Sequence, residues 1–232
     1  MKSTNTTTTT EEIYNFLIEC ANSCNIRKWN EWRDANMRIG LNFSRKNFTN
    51  LYLEGANLVE IKLDGVNFSG SNLQAVKLYN SSVTGAILSN ANLKEGQFAH
   101  TNFSNTSFRN SDLSRAKFFE ANLVNADFSS AKLHETNLAK SDLSKSNFYL
   151  ADLTKAQLGK SKMFQTNFNS ANLYKADIRE ASISDVTFAN SNMKGVVLCK
   201  SSVQDTDFFN ANLSDMNTTD TCLSDRELSK IN

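Results

Sequence analysis

Residues 121–135 read Ala121-Asn122-Leu123-Val124-Asn125, then Ala126-Asp127-Phe128-Ser129-Ser130, then Ala131-Lys132-Leu133-His134-Glu135. Each line of five runs small, polar, large apolar, then two positions of looser character. Outward from this stretch the pattern holds in both directions. A large apolar residue returns at every fifth position from Phe43 to Leu213, 35 times, without an insertion or deletion. Neither the 3.6-residue period of a helix nor the 2.0-residue period of a strand produces this spacing, so the region has to be read as a repeat architecture.

The position two before each large residue is small almost throughout, as at Ser71, Ala86, Gly96, Thr106, Ala116 and Ala211, which places it in a confined interior. The position between the two is Asn or Asp at 20 of the 35 sites. Such side chains bond neighbouring backbone groups and favour turns. A second period lies on top of the first. Residues 20 apart give one column of Phe48, Phe68, Leu88, Phe108, Phe128, Phe148, Phe168, Phe188 and Phe208, in which eight of nine are Phe. The adjacent column runs from Leu53 to Leu213 with Met193 as its one departure from Leu.

Segments such as Ala91-Asn92-Leu93, Ala151-Asp152-Leu153 and Ala171-Asn172-Leu173 match the motif A(D/N)LXX, and over about residues 41–215 the chain resembles the pentapeptide-repeat protein family. That resemblance implies an all-β solenoid, a right-handed quadrilateral β-helix in which four pentapeptides make one coil of 20 residues. With coils stacked at ~4.8 Å, 35 pentapeptides form close to nine coils and a rod on the order of 40 Å long. The geometry accounts for the absence of Pro from all 232 residues. Each coil exchanges backbone hydrogen bonds with its neighbours, and Pro lacks the donor. The eight Phe of the ladder column are the expected structural core.

The flanks read differently. Residues 1–10 are a Thr-rich lead-in expected to carry no fold. Residues 11–38 are expected to form a helical cap over the first coil, with Thr9 or Thr10 as the helix cap, Glu12 three residues after Thr9, and Ile13, Phe16, Leu17, Cys20 and Cys24 at helical spacing. The segment Trp29-Asn30-Glu31-Trp32-Arg33 resembles a helical leader ahead of some domains of this family. At the other end the phase breaks at Thr218, and Ser224 to Glu227 read as a capping box opening a short helix, so 216–232 form a C-terminal cap or tail. Relatives that bind topoisomerases carry a dimerising helical module there; a monomer and a C-terminally joined homodimer both stay open.

Composition narrows the chemistry. Lys and Arg number 25 against 24 Asp and Glu, a net charge of +1, which is no polyanion or polycation signature. The two His, His100 and His134, stand far apart and the four Cys have no zinc spacing, so no metal site and no cofactor are expected. Neither a signal-like apolar stretch after Lys2 nor an 18-residue apolar run occurs, so cytoplasmic residence without membrane association is expected. A packed solenoid offers no concave site with converging groups, and no nucleophile elbow or phosphate loop appears, so the chain is read as not an enzyme and as having no small-molecule substrate.

Function then rests on the outer surface. The position after each large residue gives one largely apolar column of Val59, Tyr79, Ala99, Phe119, Ala139, Gly159, Arg179 and Cys199, with Val59, Tyr79, Phe119 and Arg179 as candidate partner-binding residues. Lys140, Lys145, Lys155, Lys160, Lys162 and Lys175 form a moderate basic belt, but acidic residues are interspersed, so direct nucleic-acid binding is not expected. The leading reading is a noncatalytic scaffold or protein-interaction module whose partner is another protein. The alternative that the resemblance implies is a DNA-mimicking binder of a type II topoisomerase such as gyrase, which it protects from inhibitors. Over 41–215, 18 Lys and Arg face 16 Asp and Glu, a net of +2, which lacks the acidic field that mimicry uses.

Overall fold

The structure, a computed structural model, describes residues 9–222. Two short helices come first, α1 over Thr10–Asn22 and α2 over Ile26–Ala35. Helix α1 opens on a reciprocal cap: Thr9 Oγ1 accepts the Glu12 amide at 3.2 Å, and a Glu12 carboxylate oxygen accepts the Thr9 amide at 2.7 Å. The Thr-rich lead-in is therefore shorter than its sequence suggests, because Thr9 and Thr10 belong to the helix start; residues 1–8 lie outside the described residues.

From Asn42 the chain coils with a register of 20 residues. Parallel pairing joins residue i to residue i+20 from Asn42↔Lys62 to Ser202↔Cys222. Three stacked segments extend into short strands, β1 over Lys162–Phe164, β2 over Ser182–Ser184 and β3 over Ser202–Gln204, paired in parallel in the order β1-β2-β3. Each coil bonds in both directions. The Phe128 amide donates to the Asn147 carbonyl at 2.7 Å, and the Asn147 amide donates back to the Ala126 carbonyl at 2.9 Å. Outward positions thus fall into four rows, which we call the Phe43, Phe48, Leu53 and Leu58 rows after their first central residue.

Between coil segments the chain turns within two residues, as where the Ala131 amide bonds the Phe128 carbonyl at 2.9 Å across Ser129 and Ser130. The second of these turn residues has positive φ at every fifth position from Arg45 to Asp220, and only Gly55, Gly65, Gly70, Gly85 and Gly195 among them are glycine. No Val, Ile or Thr occupies any of these sites. The reason is steric: in the left-handed region a branched β-carbon crowds the backbone, whereas Asn, Lys, Glu and Asp tolerate it. Asn125→Val, at φ 58°, is therefore expected to cost about 1–2 kcal/mol in a urea unfolding series. Unchanged stability would show that the turn relaxes to another conformation.

Inside the coil, Phe108, Phe128 and Phe148 stack with ring centroids 4.7 Å apart and planes within 3° of parallel, and the stack continues through Phe168, Phe188 and Phe208. Phe48 stacks on Phe68, and Leu88 interrupts the ladder. All eight rings are buried, Phe208 least so at 4% exposure. Where Phe98, Phe103 and Phe108 crowd one stretch, Gly96 makes room: a Cβ there would stand 2.1 Å from the Phe98 ring. Outside, side-chain amides run from coil to coil, as in Asn172 to Asp152, Asn192 to Asn172 and Asn212 to Asn192.

The helices close the upper end of the coil by supplying bonds that a preceding coil would make. Trp29 Nε1 donates to the Asn57 carbonyl at 2.9 Å, Asn30 Oδ1 accepts the Asn57 amide at 2.8 Å, and the Tyr14 hydroxyl donates to the Asn47 carbonyl at 2.7 Å. Arg33 is fully buried and donates to the carbonyls of Asn36, Ile39 and Val59 at 2.9, 3.2 and 3.0 Å. Its burial pushes the guanidinium below its usual pKa, with Glu60 and Asp34 opposing that shift. At the lower end the coil runs past the break expected at 215: Asn217 pairs with Val197, Cys222 pairs with Ser202, and the positive φ persists at Asp220. Backbone hydrogen bonds carry the register through Thr218 although its central slot no longer holds a large side chain. The capping box from Ser224 to Glu227 lies outside the described residues.

Candidate protein-binding face

The Leu58 row holds the column singled out in the sequence. Each of its members follows a buried central residue and opens the turn, so its side chain leaves the coil. Val59 is the exception. It is 1% exposed, because α2 sits over it and Arg33 Nη2 bonds its carbonyl at 3.0 Å. The expectation that Val59 contributes to a surface strip is corrected: the exposed part of the column begins at Tyr79, which is 36% exposed.

Below Tyr79 and Ala99, Phe119 is half-buried, with Lys140 Nζ 4.7 Å above its ring and the His100 ring edge-on at 6.2 Å. Glu120 lies between the two side chains, 3.4 Å from His100 Nδ1 and 3.0 Å from Lys140 Nζ. Ala139 and Gly159 then open a notch of about 180 Å³, walled by Phe119, Lys140, Lys160, Arg179 and Glu180. A Cβ on Gly159 would come 3.4 Å from the Arg179 carbonyl oxygen, so the small residue keeps this floor low. Tyr79, Phe119 and Arg179 are thus brought onto one strip with a shallow recess between the last two.

The charges around the notch are paired within the molecule. Arg179 Nε bonds Asp177 at 2.8 Å, which raises the guanidinium pKa further, and Lys160 meets Glu180 at 3.3 Å. On the neighbouring row Glu135 gathers Arg115 at 3.2 Å, His134 at 3.3 Å and Lys155 at 3.7 Å; the Arg115 hydrogen bond holds its carboxyl below the usual range. Three of the six lysines of the basic belt, Lys140, Lys155 and Lys160, are thus paired with carboxylates from coil to coil. Among the described residues no group of three or more His, Cys, Asp or Glu is placed to hold a metal ion, and no helix is long and apolar enough to cross a membrane.

Ile87 and Leu150, 44% and 52% exposed, escaped the sequence reading because they precede and follow the positions it followed outward. Both belong to the Phe48 row with Tyr149 and Phe209.

The family model described as "Pentapeptide repeat region" matches residues 86–158, and that described as "Pentapeptide repeats (8 copies)" matches 39–70, 151–188 and 176–215. The chain belongs to the pentapeptide-repeat family. Among solved structures it is similar to a trypsin-treated variant of QnrB1, a plasmid-mediated fluoroquinolone resistance protein. The two are 18% identical over 83% of this chain and 94% of that one, with a TM-score of 0.65. A second trypsin-treated QnrB1 variant is 19% identical over the same shares, with a TM-score of 0.56. HetL of the cyanobacterium Nostoc, a pentapeptide-repeat protein involved in heterocyst differentiation regulation, is 24% identical over 76% of this chain and 86% of that one, with a TM-score of 0.43. No curated protein matches the chain at a significant level.

Proposed function

We propose that this pentapeptide-repeat protein is a noncatalytic, cytoplasmic protein-binding module, a right-handed quadrilateral β-helix of close to nine coils that presents flat outer rows to a macromolecular partner. The partner class best supported is a type II DNA topoisomerase. The observation that carries this reading is the likeness to QnrB1, which extends over 94% of that resistance protein at a TM-score of 0.65.

The charge of this rod sets how it would bind. With a net of +2 over 41–215, it generates no long-range negative field. Recognition then depends on shape and short contacts. Association is slower than steered encounter and weakly dependent on salt. A supercoiling assay with DNA gyrase, with and without a quinolone, tests the reading. Protection or inhibition at micromolar protein is expected; neither effect would remove the topoisomerase.

A second reading, a different protein partner held on the Leu58 row, is favoured by the notch between Phe119 and Arg179. Its test is capture of a partner by the intact protein and loss of that capture in Tyr79→Ala/Phe119→Ala. Those two side chains stand outside the core, so the variant keeps its melting midpoint. Capture unaffected by the double substitution would move the binding face elsewhere.

A further inference from the structure

The Phe48 row differs from the others in charge. Its outward positions are 47, 49 and 50 and their equivalents every 20 residues down to 207, 209 and 210. Among these 27 positions only Arg109, Asp127 and Asp207 are charged, against 12 charged residues in the equivalent 27 of the Leu53 row. Arg109 and Asp127 pair with each other at 3.0 Å, and Asp207 lies five coils from Arg109, the one cation of the row. Most of the remaining positions are Asn, Ser and Thr. The row also carries Ile87, Tyr149, Leu150 and Phe209, at 44%, 44%, 52% and 73% exposure, half of the eight exposed large apolar side chains among the described residues. Depletion of charge around exposed aromatic and aliphatic side chains marks the centre of protein interfaces.

The spacing of these side chains identifies the occupant. Ile87 lies in the third coil of the row, Tyr149 and Leu150 in the sixth, and Phe209 in the ninth, so the outer two stand three coils, about 14 Å, on either side of the central pair. We propose that this row packs against the same row of a second copy, antiparallel, about a two-fold axis that crosses the rod at the Tyr149 coil. Tyr149 and Leu150 then meet their own counterparts, and Ile87 of each copy falls in the same layer as Phe209 of the other, two residues across the face, which a crossing of the rods by roughly 30° brings together in the self-complementary contact that two-fold symmetry requires. Charge selects the antiparallel arrangement. A parallel pairing sets Arg109 against Arg109 and Asp207 against Asp207, whereas the antiparallel one brings Arg109 of the second copy within one coil, about 4.8 Å along the rod, of Asp207. The helical caps overhang the paired region at opposite ends. On the four-sided coil proposed above, the Leu58 row faces away from the contact and stays open on both copies, so this pairing goes beyond the partner-binding reading and does not depend on it.

Sedimentation velocity on the full chain tests the proposal. At about 100 μM the protein is expected to sediment as a dimer of the 25.9 kDa chain. Its mass is expected to stay the same between about 50 and about 500 mM salt, because the contact is uncharged at its centre. Tyr149→Lys/Leu150→Lys places like charges on the axis. It is expected to weaken association at least about 100-fold while leaving the melting midpoint of the monomer unchanged. In a background with Cys24, Cys199 and Cys222 replaced by Ser, Leu150→Cys is expected to give a disulfide-linked dimer on mild oxidation, and Glu180→Cys on the Leu58 row is not. A monomer at that concentration overturns the proposal. So does a dimer that survives the double-Lys substitution, or one that cross-links as readily through position 180.

Discussion

Phe128→Ala is expected to lower the stability of the protein by about 3–5 kcal/mol, through the transfer energy of the lost ring and the cavity it leaves. The upper part of that range is favoured by the walls of the cavity. Phe108 and Phe148 lie flat against the ring at 4.7 Å on either side, and their separation is set by backbone bonds, Phe108 N to Asp127 O and Phe128 N to Asn147 O, both 2.7 Å. The coils cannot close on the void without breaking that ladder. Urea unfolding followed by far-UV circular dichroism measures the effect, with Phe164→Ala, at a 42% exposed position, as a surface control expected to change stability by less than about 0.5 kcal/mol. Phe128→Leu is expected to fall between the two, since Leu88 fills the same column where the ring stack is interrupted. An unchanged midpoint for Phe128→Ala would sink the packing account.

Trp29→Ala is expected to have a comparable cost, about 3–5 kcal/mol, but a local one. Trp29 is fully buried against Trp32, Phe16 and Phe43, and its indole N–H satisfies the Asn57 carbonyl. Loss of the ring frees α2 and uncovers the upper edge of the first coil, a row of backbone groups that invites end-to-end association. Amide exchange over residues 43–60 is expected to accelerate while exchange near residue 170 stays unchanged, because coils couple only to their neighbours. Trp29→Phe separates packing from hydrogen bonding. It keeps most of the apolar contact and leaves the Asn57 carbonyl without its donor, at a cost of about 1–3 kcal/mol. Uniform acceleration along the chain would show instead that the solenoid opens as one unit.

Much of this architecture is legible in the amino-acid order because its cause is local and repeated. The five-residue return of Leu and Phe, the 20-residue return of Phe alone, and the spacing from Thr9 to Glu12 each map onto one physical requirement. Other features were written in ways that a search for residues passes over. The left-handed turn position shows in the sequence only as a residue class that never occurs there, and with five glycines in the whole set it lacks the usual marker. The burial of Val59 depends on where α2 settles, a contact between residues 26 apart that no period encodes. The continuation to Cys222 follows from backbone bonding, to which side-chain identity is nearly indifferent. The charge-poor row emerges only after outward positions are sorted into four sets, since the chain as a whole is evenly charged.

The constant register has a consequence for how the chain reaches this state. Because each coil bonds the residues about 20 positions before and after it, the typical contact spans about 0.09 of the chain, within the range of helical bundles and well below that of β-sandwiches. Every added coil closes a loop of the same length, so the entropic cost of growth does not rise as the rod lengthens. Helices α1 and α2 emerge first and complete the bonds of the first coil, giving growth a seed at one end. Folding of this protein then resembles the elongation of a filament inside a single molecule, with β-structure assembled at the speed that local contacts allow.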